Sequence, residues 1–186
     1  MFKHIGVVGA GLMGSEIALV FALAGRRVKL NDSDPKLLDE SVNRLERVLQ
    51  KGIDRELYAA DAIQVVLPRI QLCTTLKDYS DCDLVVEAVY EDERVKSNVF
   101  KELDRVVSDE CIIASNTSSI SITTLASQVS EVRRARFIGT HFFSPVSKMR
   151  LVEVIPGLDT DGSIIEEVMS ECRDIGKTPI EVKGVV

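Results

Sequence analysis

Cysteine is scarce in this chain of 186 residues, and the four it has are scattered: Cys73, Cys82, Cys111 and Cys172 form no C-x-x-C pair and lie mostly in or beside apolar runs. That pattern excludes a disulfide framework, argues against a metal site and fits reduced core thiols in a reducing compartment. A long hydrophobic run is also missing, so no segment reads as a membrane span. There is no excess of basic residues. A net charge of −6 argues against non-specific binding to nucleic acid or to an anionic membrane, and any phosphorylated ligand must be held by a local pocket. Residues 3–8 already read as a buried strand, so no signal peptide is expected before the fold, and the cytoplasm is the expected location. Histidine is nearly absent, with His4 and His141 alone.

The composition is that of an ordinary globular protein, and the length suggests one domain over 1–186 with room for a real core. Short β-rich apolar runs at 4–8, 28–30, 70–73, 84–89, 112–114 and 137–139 alternate with helical patterns. That alternation predicts an α/β fold, a doubly wound and mostly parallel sheet with helices on both faces. A first helix is expected over 12–24, stopping at Gly25. After Asp34-Pro35, the stripe Leu37, Leu38, Val42, Leu45, Val48 and Leu49 predicts a long helix that continues past Gly52 into a second one ending before Pro68. This excursion reads as a helical hairpin beside the sheet, bent at Gly52. Further helices are expected over 92–107, 121–129 and 163–175, and strands over 151–155 and 180–182. The ending Gly184-Val185-Val186 has neither a polar tail nor a helix cap and reads as a fragment boundary.

Gly9-Ala10-Gly11-Leu12-Met13-Gly14 matches G-x-G-x-x-G. Spacing alone is weak evidence, but here the motif follows an apolar strand and opens an amphipathic helix. Gly9 would permit the tight turn, Gly11 the approach of a pyrophosphate to the backbone, and Gly14 close helix-to-strand packing. Asp32 ends the second strand at the interval expected of a carboxylate that binds the adenosine ribose, and its charge repels a 2′-phosphate, favouring NAD over NADP. The bland alternative is a plain glycine turn with Asp32 capping the next helix. FAD uses the same fingerprint.

A second polar element follows the fifth strand. Residues 112–114 run straight into Ser115-Asn116-Thr117-Ser118-Ser119, and in a doubly wound sheet ligands bind outside the carboxyl ends of the strands. Asn116, Thr117 and Ser118 are therefore expected to face the cofactor and the substrate, while Ser119 or Ser121 serves as the N-cap of the next helix. The third element is His141, which ends an apolar run and opens a segment closing on Glu153. An imidazole is the side chain best suited to move a proton near neutral pH, and a carboxylate against it fixes its tautomer. A satisfied core histidine is the alternative, and His4 is read that way.

With the glycine loop, Leu84-Val85-Val86-Glu87-Ala88, Ala114-Ser115-Asn116-Thr117-Ser118-Ser119 and His141-Phe142-Phe143-Ser144-Pro145 in this order, the chain resembles the L-3-hydroxyacyl-CoA dehydrogenase family. The resemblance covers nearly all 186 residues and corresponds to the family's amino-terminal NAD-binding domain, of Rossmann type. It implies NAD-dependent oxidation of (S)-3-hydroxyacyl-CoA to 3-oxoacyl-CoA, or the reverse, with an acyl-CoA as the partner. By matching motif, His141 is similar to the catalytic base, Glu153 to the carboxylate that orients it, and Ser118 to the serine that binds the substrate's 3-oxygen. Asn116 lies in the same turn. Gly9, Gly11, Leu12, Met13, Gly14 and Asp32 correspond to the cofactor loop. Glu91 and Lys96 match positions that contact the nicotinamide half, with a solvated helix start as the alternative. Ser144 stands where the family usually has asparagine, which keeps a supporting hydrogen-bonding role but shortens its reach. Lys51 and Arg55 are basic groups available to CoA phosphates, although a solvated helix face is the preferred reading of both. The family continues with a helical carboxyl-terminal domain that closes the cleft and makes most of a homodimer interface, and that domain is absent from this sequence. The resemblance thus implies weak or no catalysis by these residues alone. Two other readings stand beside it: another NAD-dependent hydroxy-acid dehydrogenase of the same superfamily, such as the crystallin-like sugar-acid dehydrogenases, and a nucleotide-binding module without catalysis.

Overall fold

In the computed structural model, residues 2–183 are described, so the ending at Gly184-Val185-Val186 lies outside the described residues. Eight strands form one sheet in the order β3-β2-β1-β4-β5-β6-β7-β8. They are β1 His4–Val8, β2 Arg27–Asn31, β3 Ile70–Cys73, β4 Leu84–Glu87, β5 Ile112–Ser115, β6 Phe137–Phe142, β7 Leu151–Pro156 and β8 Thr178–Glu181. Every neighbouring pair is parallel except β6 with β7, which run antiparallel. The expected doubly wound sheet is therefore present, with an antiparallel turn added after β6.

The central strands are apolar up to their carboxyl ends because both faces are covered. Along β4 and β5, Leu84, Val86, Ile112 and Ala114 enter one core, while Val85 and Ile113 enter the other. The first core is completed by α1 (Leu12–Leu23), α2 (Pro35–Ile53) and α7 (Gly162–Asp174); the second by α4 (Glu93–Val106) and α5 (Ile122–Ala126). Helix α1 stops as expected at Gly25, whose φ of +86° suits the left-handed position after a helix end. Asp34 caps α2, with its side chain accepting from the Lys36 amide, and Pro35 fills the first helical position.

The excursion between β2 and β3 differs from the hairpin read in the sequence. Helix α2 runs through Gly52 to Ile53, and its second arm is reduced to α3 (Ala62–Val66) followed by a single 3-10 turn, Leu67–Arg69. Gly52 is not a bend. It is buried beneath Tyr58, whose ring a Cβ would meet at 2.1 Å, so the glycine makes room for the returning chain instead of breaking the helix. Leu38, Leu45 and Leu49 press α2 onto the same core as Ile17 and Phe21 of α1. Lys51 and Arg55 are exposed, in keeping with a solvated face. A short helix not read from the sequence, α6 (Glu131–Arg134), precedes β6.

Gly14 shows how tightly α1 is seated. A Cβ there would lie 1.8 Å from the carbonyl oxygen of Gly9, a contact that only movement of the loop relieves. Gly14→Ala is expected to cost about 1–3 kcal/mol of stability, the usual range for overpacking, and urea unfolding measures it. A stability equal to wild type would refute the packing role.

Candidate active site

The carboxyl ends of β1, β4 and β5 lie side by side, and each delivers a polar element to the same rim. At β1 the chain turns on Gly9, at φ +103°, where a Cβ would collide with the Ala88 carbonyl at 2.6 Å. A Cβ on Gly11, by contrast, would meet nothing within 4 Å. Gly11 is the N-cap of α1, no side chain caps that helix, and its first turn carries no acidic residue. The free amide hydrogens of residues at the start of α1 thus face open space with no competing carboxylate, which is what a pyrophosphate requires. Met13 packs from this turn onto the first core, whereas Leu12 is 54% exposed. Asp32 does not cap α2. Its Oδ2 accepts from the Ala10 amide at 2.7 Å and its Oδ1 from the Asp34 amide at 2.9 Å, so it braces the glycine loop while remaining partly open to solvent.

At the end of β4 stands Glu87, a carboxylate with no exposed surface. It accepts from Lys96 Nζ at 2.7 Å, the Val89 amide at 2.8 Å and the Ser115 hydroxyl at 2.6 Å. Lys96 is 1% exposed and also pairs with Glu91 Oε2 at 3.1 Å. The solvated helix start is therefore excluded for Lys96. Glu91 in turn holds the polar turn after β5: its Oε1 accepts from the Thr117 hydroxyl at 2.5 Å, the Ser118 amide at 3.0 Å, and the Ser119 amide and hydroxyl at 3.2 and 3.1 Å. Burial alone would raise the Glu91 carboxyl, but the bonds from Thr117 and Lys96 outweigh it and hold the group down at about 2. Burial also raises Glu87, against the pull of Lys96. Thr117 faces Glu91 and is buried, so it does not present its hydroxyl to a ligand as the sequence suggested. The Ser118 side chain is exposed at the rim. Ser121, as expected, caps α5 by accepting from the Thr124 amide.

His141 lies inside β6, beyond the strand read over 137–139 in the sequence, because the strand continues to Phe142. The antiparallel register sets His141 opposite Glu153, and Nδ1 is 2.8 Å from Glu153 Oε2. An ionised carboxylate only accepts, so Nδ1 carries the proton and Nε2 is the basic nitrogen. The imidazole is tilted against the Phe143 ring at 4.5 Å. Asn116 Oδ1 accepts from the Phe142 amide at 2.8 Å, pinning the end of β5 to the strand that carries His141. Glu153 and Ser118 line one cleft of about 790 Å³, whose walls include Ile120, Ile122, Ile155 and Leu158. Ser144 is exposed, before a cis peptide bond to Pro145, and does not line this cleft.

The structure thus gathers the glycine loop, Asp32, Glu91, Lys96, Asn116, Ser118, His141 and Glu153 along one rim of the sheet. Sequence reasoning missed Glu87, although a carboxylate ending an otherwise apolar buried run, with a lysine nine positions on, was a readable signal. Other candidates are inert. His4 Nδ1 rests 3.3 Å from an Asp81 carboxylate oxygen at the opposite end of β1. The four cysteines are free and buried, and burial pushes the Cys73 thiol up to about 11 and those of Cys111 and Cys172 up to about 12. Among the described residues no cluster of three or more His, Cys, Asp or Glu is placed to hold a metal ion, and no helix is long and apolar enough to cross a membrane.

Comparison with known proteins shows the family. The family model described as 3-hydroxyacyl-CoA dehydrogenase, NAD binding domain, matches residues 4–185. A probable 3-hydroxybutyryl-CoA dehydrogenase of Deinococcus radiodurans is 44% identical over 94% of this chain and 62% of its own length. The 3-hydroxybutyryl-CoA dehydrogenase of Bradyrhizobium diazoefficiens is 42% identical over 95% of this chain and 60% of its own. The crystal structure of (S)-3-hydroxybutyryl-CoA dehydrogenase from Ralstonia eutropha superimposes with a TM-score of 0.95 at 38% identity, covering 100% of this chain and 65% of that one. The chain therefore spans a little under two thirds of the length of these relatives.

Proposed function

The chain belongs to the family of NAD-binding domains of 3-hydroxyacyl-CoA dehydrogenases, and from that premise we propose that the protein interconverts (S)-3-hydroxyacyl-CoA and 3-oxoacyl-CoA with His141 as the proton-transferring group. The observation that carries the reading is the 2.8 Å contact of His141 Nδ1 with Glu153, beside a cleft that Glu153 shares with Ser118. NAD, when bound, supplies the hydride acceptor. The residues supply the rest. His141 Nε2 takes the 3-hydroxyl proton during oxidation, and Glu153 stabilises the imidazolium that forms. In the reductive direction the imidazolium returns the proton to the 3-oxygen. The Ser118 hydroxyl hydrogen-bonds that oxygen and holds it within reach of the imidazole, while Asn116 keeps the two strand ends together. Glu91 and Lys96 contribute to the nicotinamide side by fixing the Ser118 turn, since Lys96 is sealed between two carboxylates. Ser144, exposed at the loop, supports the substrate side.

The test is reduction of acetoacetyl-CoA by NADH, followed by NADH absorbance on the full-length protein, with free acetoacetate as the contrast. Turnover of the CoA ester and not the free acid supports the reading; preference for the free acid indicates another hydroxy-acid dehydrogenase. The 186 residues alone, assayed beside calorimetry with NAD, are expected to bind the cofactor and to turn over weakly or not at all. Robust turnover by them would refute the need for a second domain over the cleft.

Asp32 is proposed to set the choice of cofactor. Asp32→Asn keeps an oxygen acceptor for the Ala10 amide and removes the charge that repels a 2′-phosphate. The ratio of NAD to NADP affinity is expected to fall by about tenfold, or ~1.4 kcal/mol, by calorimetry with each nucleotide. An unchanged ratio would remove Asp32 from that role.

A further inference from the structure

We infer that Glu16 and Lys177 are positioning residues for the His141–Glu153 pair: they clamp the loop joining β6 to β7, and Glu16 ties that loop to the helix that receives the cofactor. The inference rests on the dehydrogenase reading given above, in which this pair moves the proton.

Residues 143–150 connect two antiparallel strands whose register places His141 against Glu153. The position of such a pair depends on how its connection is held. Within the loop, the amides of Lys148 and Met149 both return to the Pro145 carbonyl, which leaves other backbone groups to be satisfied from outside. Two charged side chains do this. Lys177 Nζ donates to the Val146 carbonyl and, at 2.8 Å, to the Met149 carbonyl. Glu16 Oε2 accepts from the Ser147 amide at 3.1 Å. Val146 anchors the middle of the loop in the first core, but an open hollow of about 420 Å³ lies between residues 147–150 and the carboxyl-terminal end of α1, so that half of the loop is held by hydrogen bonds.

Both side chains are placed where a charge is costly. Glu16 is 6% exposed and Lys177 9%, and buried charges persist in proteins when paired or hydrogen-bonded. Glu16 also interrupts a helix whose following residues, Ile17, Ala18, Leu19, Val20, Phe21 and Ala22, are apolar and buried. What the carboxylate reaches from this apolar stretch is the Ser147 amide. Its charge is felt by its neighbours: burial lowers the Lys177 ammonium and Glu16 pulls it back up, while burial raises the Tyr58 phenol and Glu16 adds to the rise. Glu16 sits one turn beyond the Gly11 N-cap of α1, the turn whose free amides suit a pyrophosphate. One rigid helix thus carries the cofactor end and the loop clamp, a contiguous link of the kind that needs a direct coupling test.

The test uses the full-length protein and has two readouts. In the first, Glu16→Ala and Lys177→Met are assayed for acetoacetyl-CoA reduction by NADH. A displaced proton donor is expected to lower kcat by roughly ten- to a hundredfold, while KM for NADH rises by no more than about tenfold, the factor by which NADH protects the loop. Glu16→Gln, whose amide oxygen still accepts from the Ser147 amide, recovers most of the rate. In a His141→Gln background neither substitution lowers the residual rate further, because the clamp acts through His141. Folded variants with wild-type kcat, or effects that add fully to His141→Gln, overturn the clamp. The second readout needs no variant and no substrate: hydrogen exchange at the wild-type Ser147 amide is expected to slow about tenfold when NADH is added. Equal exchange with and without NADH overturns the link to the cofactor helix, even where Glu16→Ala fails to fold. A wild-type protein that binds NADH yet leaves acetoacetyl-CoA untouched overturns the dehydrogenase reading, and the exchange result still decides whether the loop and the cofactor helix are coupled.

Discussion

Under the proposed reading, replacing His141 by glutamine is expected to lower kcat for acetoacetyl-CoA reduction by roughly 10²–10⁴-fold, the usual contribution of a positioned acid or base, and to leave the NADH dissociation constant at its wild-type value. The asymmetry follows from the layout. The cofactor loop is built on Gly9, Gly11 and Gly14, and its brace is Asp32; none of these touches His141. Glutamine retains a hydrogen-bond donor for Glu153 but has no basic nitrogen, so geometry is kept and proton transfer is lost. Glu153→Gln is milder, since Nε2 survives while the tautomer and the imidazolium lose their support. A kcat for His141→Gln within threefold of wild type would assign the proton transfer to another group.

Lys96→Met is the substitution with the largest expected effect on stability, about 3–5 kcal/mol, because removing one partner of a buried ion pair leaves the other charge uncompensated. Here two carboxylates lose the same cation: Glu87, with no exposed surface, and Glu91. The loss depends on pH in a definite sense. Without Lys96, burial drives the Glu87 carboxyl further above its ordinary 4.5. An acid whose folded pKa is raised penalises the folded state as pH climbs through the unfolded value, so the deficit relative to wild type is larger at neutral pH than near pH 4. Glu91 moves the same way. Held at about 2 in the native protein, its stabilising charge is present above 4.5 and lost only as pH falls toward 2, and without Lys96 that loss begins at higher pH. Urea unfolding of both proteins across this range measures the difference. A pH-independent deficit would show that Lys96 contributes through packing and not through charge.

The elements that carry period and punctuation were legible in the chain itself. Strands β1 and β3 fall where their apolar runs predicted, and α1 stops before Gly25 because a left-handed residue follows it. The hairpin after β2 was misread for an identifiable reason. The sequence shows Gly52 as a helix breaker, whereas its missing side chain is used to admit the Tyr58 ring, and a ring that arrives from six positions ahead has no periodic signature. The extent of β6 was underestimated in the same way: three apolar residues suffice to announce a strand, but its continuation through Thr140, His141 and Phe142 depends on pairing with β7.

The sequence by itself determined the glycine turn, the order of strands and helices, and the identity of the side chains available for chemistry, because these follow from backbone conformation, hydrophobic period and residue type. Tertiary structure alone decided how those side chains are used. His141 and Glu153 meet through an antiparallel register. Lys96 is buried between Glu87 and Glu91, and Glu91 binds a turn that lies beyond the next strand. Glu16 reaches a loop far along the chain. Each of these contacts spans segments brought together by sheet order, and the strength of a charge pair depends on the burial that packing creates, which no local pattern encodes.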